Sequence, residues 1–90
     1  MQGDFEHQVE QFLWLHTKNK ATAKSYSLAG FRRTDNLFVN GFFDSIEFLE
    51  LISLVEVKFN LEIDFSKLDG ERSLTIAGLT ELISLAEKSN

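Results

Sequence analysis

Apolar residues recur at intervals of three and four in three stretches of the chain, the period of helices packed on one side. Residues 4–17 are the first. Phe5, Val9, Phe12 and His16 share a stripe with Leu13 beside it, and Asp4 and Glu6 suit the positive end of a helix dipole. Trp14 and Leu15 widen this apolar surface toward the following loop or another chain. Residues 44–59 are the second and contain neither glycine nor proline. Phe48, Leu51, Ile52, Val55 and Phe59 fall on one face, and Asp44 followed by Glu47 makes a capping-box pattern before the apolar run. In the third, Thr75 caps a helix from Ile76 to about Lys88, with Ile76, Leu79, Leu82, Ile83 and Ala86 on its buried face. Gly78 inside that helix costs about 1 kcal/mol relative to alanine, which a close helix approach would explain.

The segments between are less regular. Over residues 18–43, Ala21-Thr22-Ala23-Lys24 can add a turn or two to the first helix, and Tyr26 and Leu28 are expected to drop into the core. Gly30 and Gly41 break regular structure, and Leu37 and Phe38 are expected to anchor the loop. A connection this long signals either function or unrecognised structure. After the second helix, Asn60 is the expected end and Ile63 packs inward. Asp64 to Leu68 form one short helical turn, and Asp69-Gly70 is a turn signal. No internal repeat, linker or low-complexity segment breaks the chain, which is read as one domain over residues 1–90.

Composition narrows the function classes. The absence of cysteine excludes disulfides and thiolate metal sites and is compatible with a reducing compartment. The N-terminus has no basic-then-apolar signal pattern, and no apolar run approaches the ~18 residues of a membrane span, so a cytoplasmic protein without membrane insertion is expected. The net charge of −5 is unevenly spread. Residues 1–17 hold Asp4, Glu6 and Glu10 and no Lys or Arg; residues 18–39 hold Lys18, Lys20, Lys24, Arg32 and Arg33 against Asp35; residues 40–90 hold ten acids against four Lys and Arg. An acidic second half disfavours nucleic acid and favours partners with basic patches. His7 and His16 stand half a turn out of phase on one helix, so they cannot share a metal, and no metal site is expected. Nothing orders either histidine toward Ser45, so a serine-histidine-aspartate triad is not expected.

Ser45 is the residue with distinctive chemistry. It falls in the first turn of the second helix, where amides are unpaired and the dipole is positive, so an anion attached to its hydroxyl would sit in a favourable field. Read from the triplet Asp44-Ser45-Ile46 alone, an ordinary capping or first-turn serine is the better reading. Ile46 and Leu49 lie beside it, off the main stripe; core packing and an exposed apolar spot are both open readings for them.

Asp44-Ser45-Ile46 resembles the modified Asp-Ser-Leu triplet of the acyl carrier protein family, small helical proteins that carry 4′-phosphopantetheine. The approach through Asp35-Asn36-Leu37-Phe38 and Gly41-Phe42-Phe43 is similar to that family's loop, and closest to its aminoacyl and D-alanyl carriers. Phe59 to Ile63 and Leu74-Thr75-Ile76 also fit, so the resemblance covers roughly residues 35 to 85. It implies an all-α fold, a small right-handed bundle of three main helices plus a short one. It implies that Ser45 receives 4′-phosphopantetheine from coenzyme A, and that the arm's thiol carries an acyl or aminoacyl group as a thioester.

On this reading the chain is a monomeric carrier and a substrate of enzymes, not an enzyme. Its partners would be a phosphopantetheinyl transferase, a loading ligase and downstream transferases. Asp44, Glu47, Glu50 and Glu56 would meet their basic patches, while Ile46 and Leu49 would form an apolar grip. The resemblance places the chain with carriers of fatty acid biosynthesis and lipid metabolism, but Val57 and Lys58 depart from the family, many of whose members are acidic there, which counts against recognition by generic fatty-acid enzymes. The alternative outside the family is an unmodified acidic helical interaction module; the alternative inside it is a dedicated aminoacyl carrier instead of a fatty-acyl one.

Overall fold

A computed structural model describes residues 2–39, 41–68 and 70–88. In order they form α1 (Gln2–Ala23), α2 (Ser45–Phe59), a short strand β1 (Leu61–Glu62), two 3-10 turns (Phe65–Lys67 and Gly70–Leu74), α3 (Ile76–Ser84) and β2 (Glu87–Lys88). The structure is mainly helical, as the apolar spacing predicts. The expected turn at Asp69-Gly70 is seen only at Gly70, which has a φ of +48°; Asp69 lies outside the described residues.

α1 takes up Ala21-Thr22-Ala23 and buries a different row from the expected one. Val9, Leu13, Thr17 and Ala21 are buried at i, i+4 spacing, while Phe12 and His16 are half-buried and lie against each other with ring centroids 4.4 Å apart. The winning row ends in two small side chains, and Thr17 can enter the core because its hydroxyl donates to the Leu13 carbonyl at 2.8 Å. The helix stops in a Schellman turn. Ser25 is left-handed at φ +59°, Tyr26 N–H donates to Ala21 O, and Ser25 N–H donates to Thr22 O.

α2 buries Phe48, Leu51, Ile52 and Val55 as expected, but Phe59 is only half-buried. Its ring is edge-on to both Phe5 and Phe12 at 5.6 Å, an aromatic rim and not a core position. Asn60, left-handed at φ +53°, ends the helix by donating its N–H to the Glu56 carbonyl.

α3 packs chiefly on α1 and on the second 3-10 turn. Thr75 caps it by accepting from Gly78 N–H at 2.9 Å. The helix ends at Ser84, not near Lys88. Leu85 and Ala86 N–H groups bond carbonyls three residues back, and Glu87–Lys88 then pairs antiparallel with Leu61–Glu62. Extended backbone after α2 leaves donors and acceptors open, and the C-terminal residues satisfy them only by leaving the helix. The buried face of α3 also differs. Ile76, Gly78, Leu79, Thr80 and Ile83 are buried, while Leu82 and Ala86 are half-buried. The close approach at Gly78 is to the 3-10 turn, not to another helix: a Cβ there would lie 1.7 Å from the Arg72 carbonyl oxygen.

The long connection between α1 and α2 is held by contacts at intervals. Leu37 is fully buried and donates its N–H to Leu74 O at 2.8 Å, and the Phe38 ring is edge-on to Phe48. Phe31 meets Trp14, as the wide apolar surface of the first helix allows. Arg33 grips Glu10 through two hydrogen bonds at 2.6 and 2.9 Å, which hold the Glu10 carboxyl below its usual range, and the Arg33 carbonyl accepts from Ala77 N–H. Leu28 packs against the core, but Tyr26 stays half-exposed, because the Schellman turn aims it along the surface onto Gly41.

Leu13→Ala and Leu79→Ala should each lower the unfolding free energy by about 2–5 kcal/mol, since both side chains are wholly buried, and Leu82→Ala should cost less. Gly78→Ala should also be strongly destabilising, because backbone and not a yielding side chain blocks the new methyl. Urea titrations check this set; a Leu82 variant as unstable as the Leu13 variant would show the faces to be wrongly assigned.

Candidate functional site

Asp44 has extended backbone, and its Oδ1 accepts from Glu47 N–H at 2.7 Å. Glu47 Oε1 accepts from Asp44 N–H at 3.0 Å, which completes the capping box predicted from the sequence. Ser45 is the first residue of α2, and it is exposed. It stands at the positive end of the helix dipole, open to solvent.

The segment leading into Ser45 is fastened from below and from the side. Phe42 and Phe43 are buried. Gly41 has a φ of +79°, a conformation that favours glycine, and a Cβ there would lie 3.2 Å from the Tyr26 ring. Lys24 Nζ donates to the carbonyls of both Gly41 and Phe42 at 3.1 Å. Asn36 Oδ1 accepts from the amides of Phe38 and Val39 and so shapes the preceding turn.

The acids of α2 divide into two kinds. Glu47 is drawn into the structure: Lys24 donates to its Oε1 at 2.6 Å and Lys20 to its Oε2 at 2.9 Å. These bonds, with the Asp44 N–H, hold its carboxyl down to about 2, and Glu47 in turn raises the Lys20 ammonium above its usual value. Glu56 is half-buried and accepts from Ile63 N–H at 2.9 Å, which secures the chain after the helix. Asp44 and Glu50 are exposed. Three carboxylates around Ser45 therefore face two ammoniums, and the site is far less negative than the acid pattern suggests.

Ile46 and Leu49 are exposed, at 72% and 51% of their surface, which decides between the two readings of those residues. Leu54 and Val57 extend the same exposed row along α2. They line an open groove of about 590 Å³ together with Phe43 and with His16 and Lys20 of α1. Burial lowers the His16 imidazole below its usual value, with Lys20 adding to the effect. Sequence reasoning did not pick out Lys20, Lys24, Leu54 or Val57 as part of this surface. The usable signals were the block of bases opposite the acidic half and a second apolar row at helical spacing.

Among the described residues, no group of three or more His, Cys, Asp or Glu side chains could hold a metal ion, and no helix is long and apolar enough to cross a membrane.

The Glu47 bridge sets a pH window. A carboxyl depressed in the folded state stabilises the fold fully above its ordinary value of 4.5, and that contribution is lost as the pH falls toward about 2. Wild type should thus exceed Glu47→Gln in stability by a steady margin above 4.5, and the margin should close as the pH approaches 2. Urea unfolding of both proteins across that range tests it; a margin unchanged at the acid end would show that the bridge is not ionic.

Compared with protein-family models, with curated proteins and with solved structures, the chain matches none.

Proposed function

We propose that the protein is a discrete carrier: Ser45 takes a 4′-phosphopantetheine arm from coenzyme A, and the arm presents acyl or aminoacyl thioesters to partner enzymes. The observation that carries this reading is the exposed Ser45 at the first position of α2, inside a complete capping box and directly after a fastened approach segment. A phosphodiester there would meet the dipole of a rigid helix, and it requires no base from the chain itself. On this reading the fold is a small right-handed bundle in which the 3-10 turns stand for the short fourth helix. The protein is a monomeric cytoplasmic carrier and not itself a catalyst.

The exposed row of Ile46, Leu49, Leu54 and Val57 supports apolar contact with the transferase, the loading ligase and later partners, with Asp44 and Glu50 left to steer their approach. A small aminoacyl cargo is the favoured load. Phe42, Phe43 and Phe48 are buried in a close-packed, otherwise aliphatic core with further rings packed at its rim, and a polar cargo can stay in water at the end of the arm. The same apolar row also supports a second reading, an unmodified module that docks through α2.

Mass spectrometry after incubation with coenzyme A and a broad-specificity phosphopantetheinyl transferase separates the two readings. Wild type should gain one arm and Ser45→Ala none, while both unfold within ~0.5 kcal/mol of each other, because Ser45 is exposed. No mass gain on wild type would leave the docking module as the better account. Glu50→Gln should slow modification at low ionic strength, and added salt should narrow the gap to wild type. Equal rates at low salt would show Glu50 to be a solvated residue without a steering role.

A further inference from the structure

Three acceptors converge on one ammonium. Lys24 Nζ lies 3.1 Å from the Gly41 carbonyl, 3.1 Å from the Phe42 carbonyl and 2.6 Å from Glu47 Oε1. An ammonium has three N–H donors, so these bonds use all of them. Two acceptors belong to the segment before Ser45. The third belongs to the residue that closes the capping box on Asp44 N–H at 3.0 Å. Lys24 therefore holds the chain on both sides of Ser45 from the end of α1. Its own place is set by the Schellman turn, because it immediately precedes the left-handed Ser25.

Lys20 makes a useful contrast. It donates to Glu47 Oε2 and shares the charge of that carboxylate, but no hydrogen bond joins it to the Gly41 or Phe42 carbonyl. The two lysines thus separate charge near Ser45 from grip on the segment that presents it.

We propose that Lys24 is a positioning residue for the modification of Ser45: its ammonium holds residues 41–47 in the one conformation that the modifying enzyme accepts. The proposal rests on the carrier reading of Ser45. Without the ammonium, two carbonyls turn to water and the segment samples other arrangements. The enzyme then binds only the fraction still in the competent form, so the loss falls on apparent affinity and not on the chemical step. Arginine is not an equivalent, because a planar guanidinium cannot direct three donors at acceptors gathered around a point.

The test is the steady-state rate of arm transfer to the full chain, followed by mass spectrometry with coenzyme A and a phosphopantetheinyl transferase. Amide spectra are recorded on the same proteins. Lys24→Met should raise KM about tenfold, the effect of a competent population reduced to a tenth, with kcat nearly unchanged. Its amide shifts should move at residues 41–47 and stay in place for the buried parts of α1 and α3. Lys20→Met should raise KM less. Lys24→Arg keeps a charge beside Glu47 and so protects the fold if the methionine variant is unstable; it should still show a raised KM. A Lys24→Met protein with wild-type KM, or one that matches Lys20→Met, would overturn the proposal while leaving the carrier reading intact. A wild-type chain that accepts no arm would overturn both.

Discussion

The Glu47 carboxylate joins the two halves of the structure that matter most for the candidate site. One oxygen accepts from Asp44 N–H and from Lys24, and the other accepts from Lys20. A capping box is a local device, worth having on any helix. Here it is also tertiary, because the lysines belong to the last turn of α1 and its end. Charge-assisted bonds of this kind are roughly twice as strong as neutral ones, and they are directional. They set where α2 begins relative to α1, and hence where Ser45 stands.

α2 serves two environments at once. Phe48, Leu51, Ile52 and Val55 face the core, while Ile46, Leu49, Leu54 and Val57 face solvent. A helix needs only one apolar face to fold, so the second row has no structural duty. It lies beside Ser45, so the proposed function assigns it to recognition, and the internal use of Glu47 and Glu56 accords with that proposal. Under that proposal, acids committed to the fold are not the main attraction for a partner, and short-range apolar contact gains weight over long-range steering.

Among its described residues, the connection from α1 to α2 is held in place without regular secondary structure. Arg33 on Glu10, Leu37 under Leu74, Phe38 on Phe48 and Lys24 on the Gly41 and Phe42 carbonyls act at intervals along it. Each tie is made to a helix or to its edge, so the rigidity of the helices passes to the loop. The approach of the second 3-10 turn to Gly78 follows the same logic, with the missing side chain making room for backbone.

Local chemistry was legible in the sequence. Three helices, the Asp44 capping box, the Thr75 cap, the Asn60 stop and the core face of α2 all rest on spacing and on residue types that act within a turn or two. Ser45 at a helix start was legible for the same reason. The tertiary structure alone decided which row of α1 is buried, since Phe12 and Leu13 fit the period equally well and only packing separates them. It decided that Phe59 and Leu82 sit at the rim, and that Glu87–Lys88 leaves the helix to pair with Leu61–Glu62. It also turned Glu47 from a surface acid into a bridge. A sequence shows that bases and acids occur in separate blocks, but a salt link between residues 23 and 27 positions apart exists only once the chain has folded back on itself.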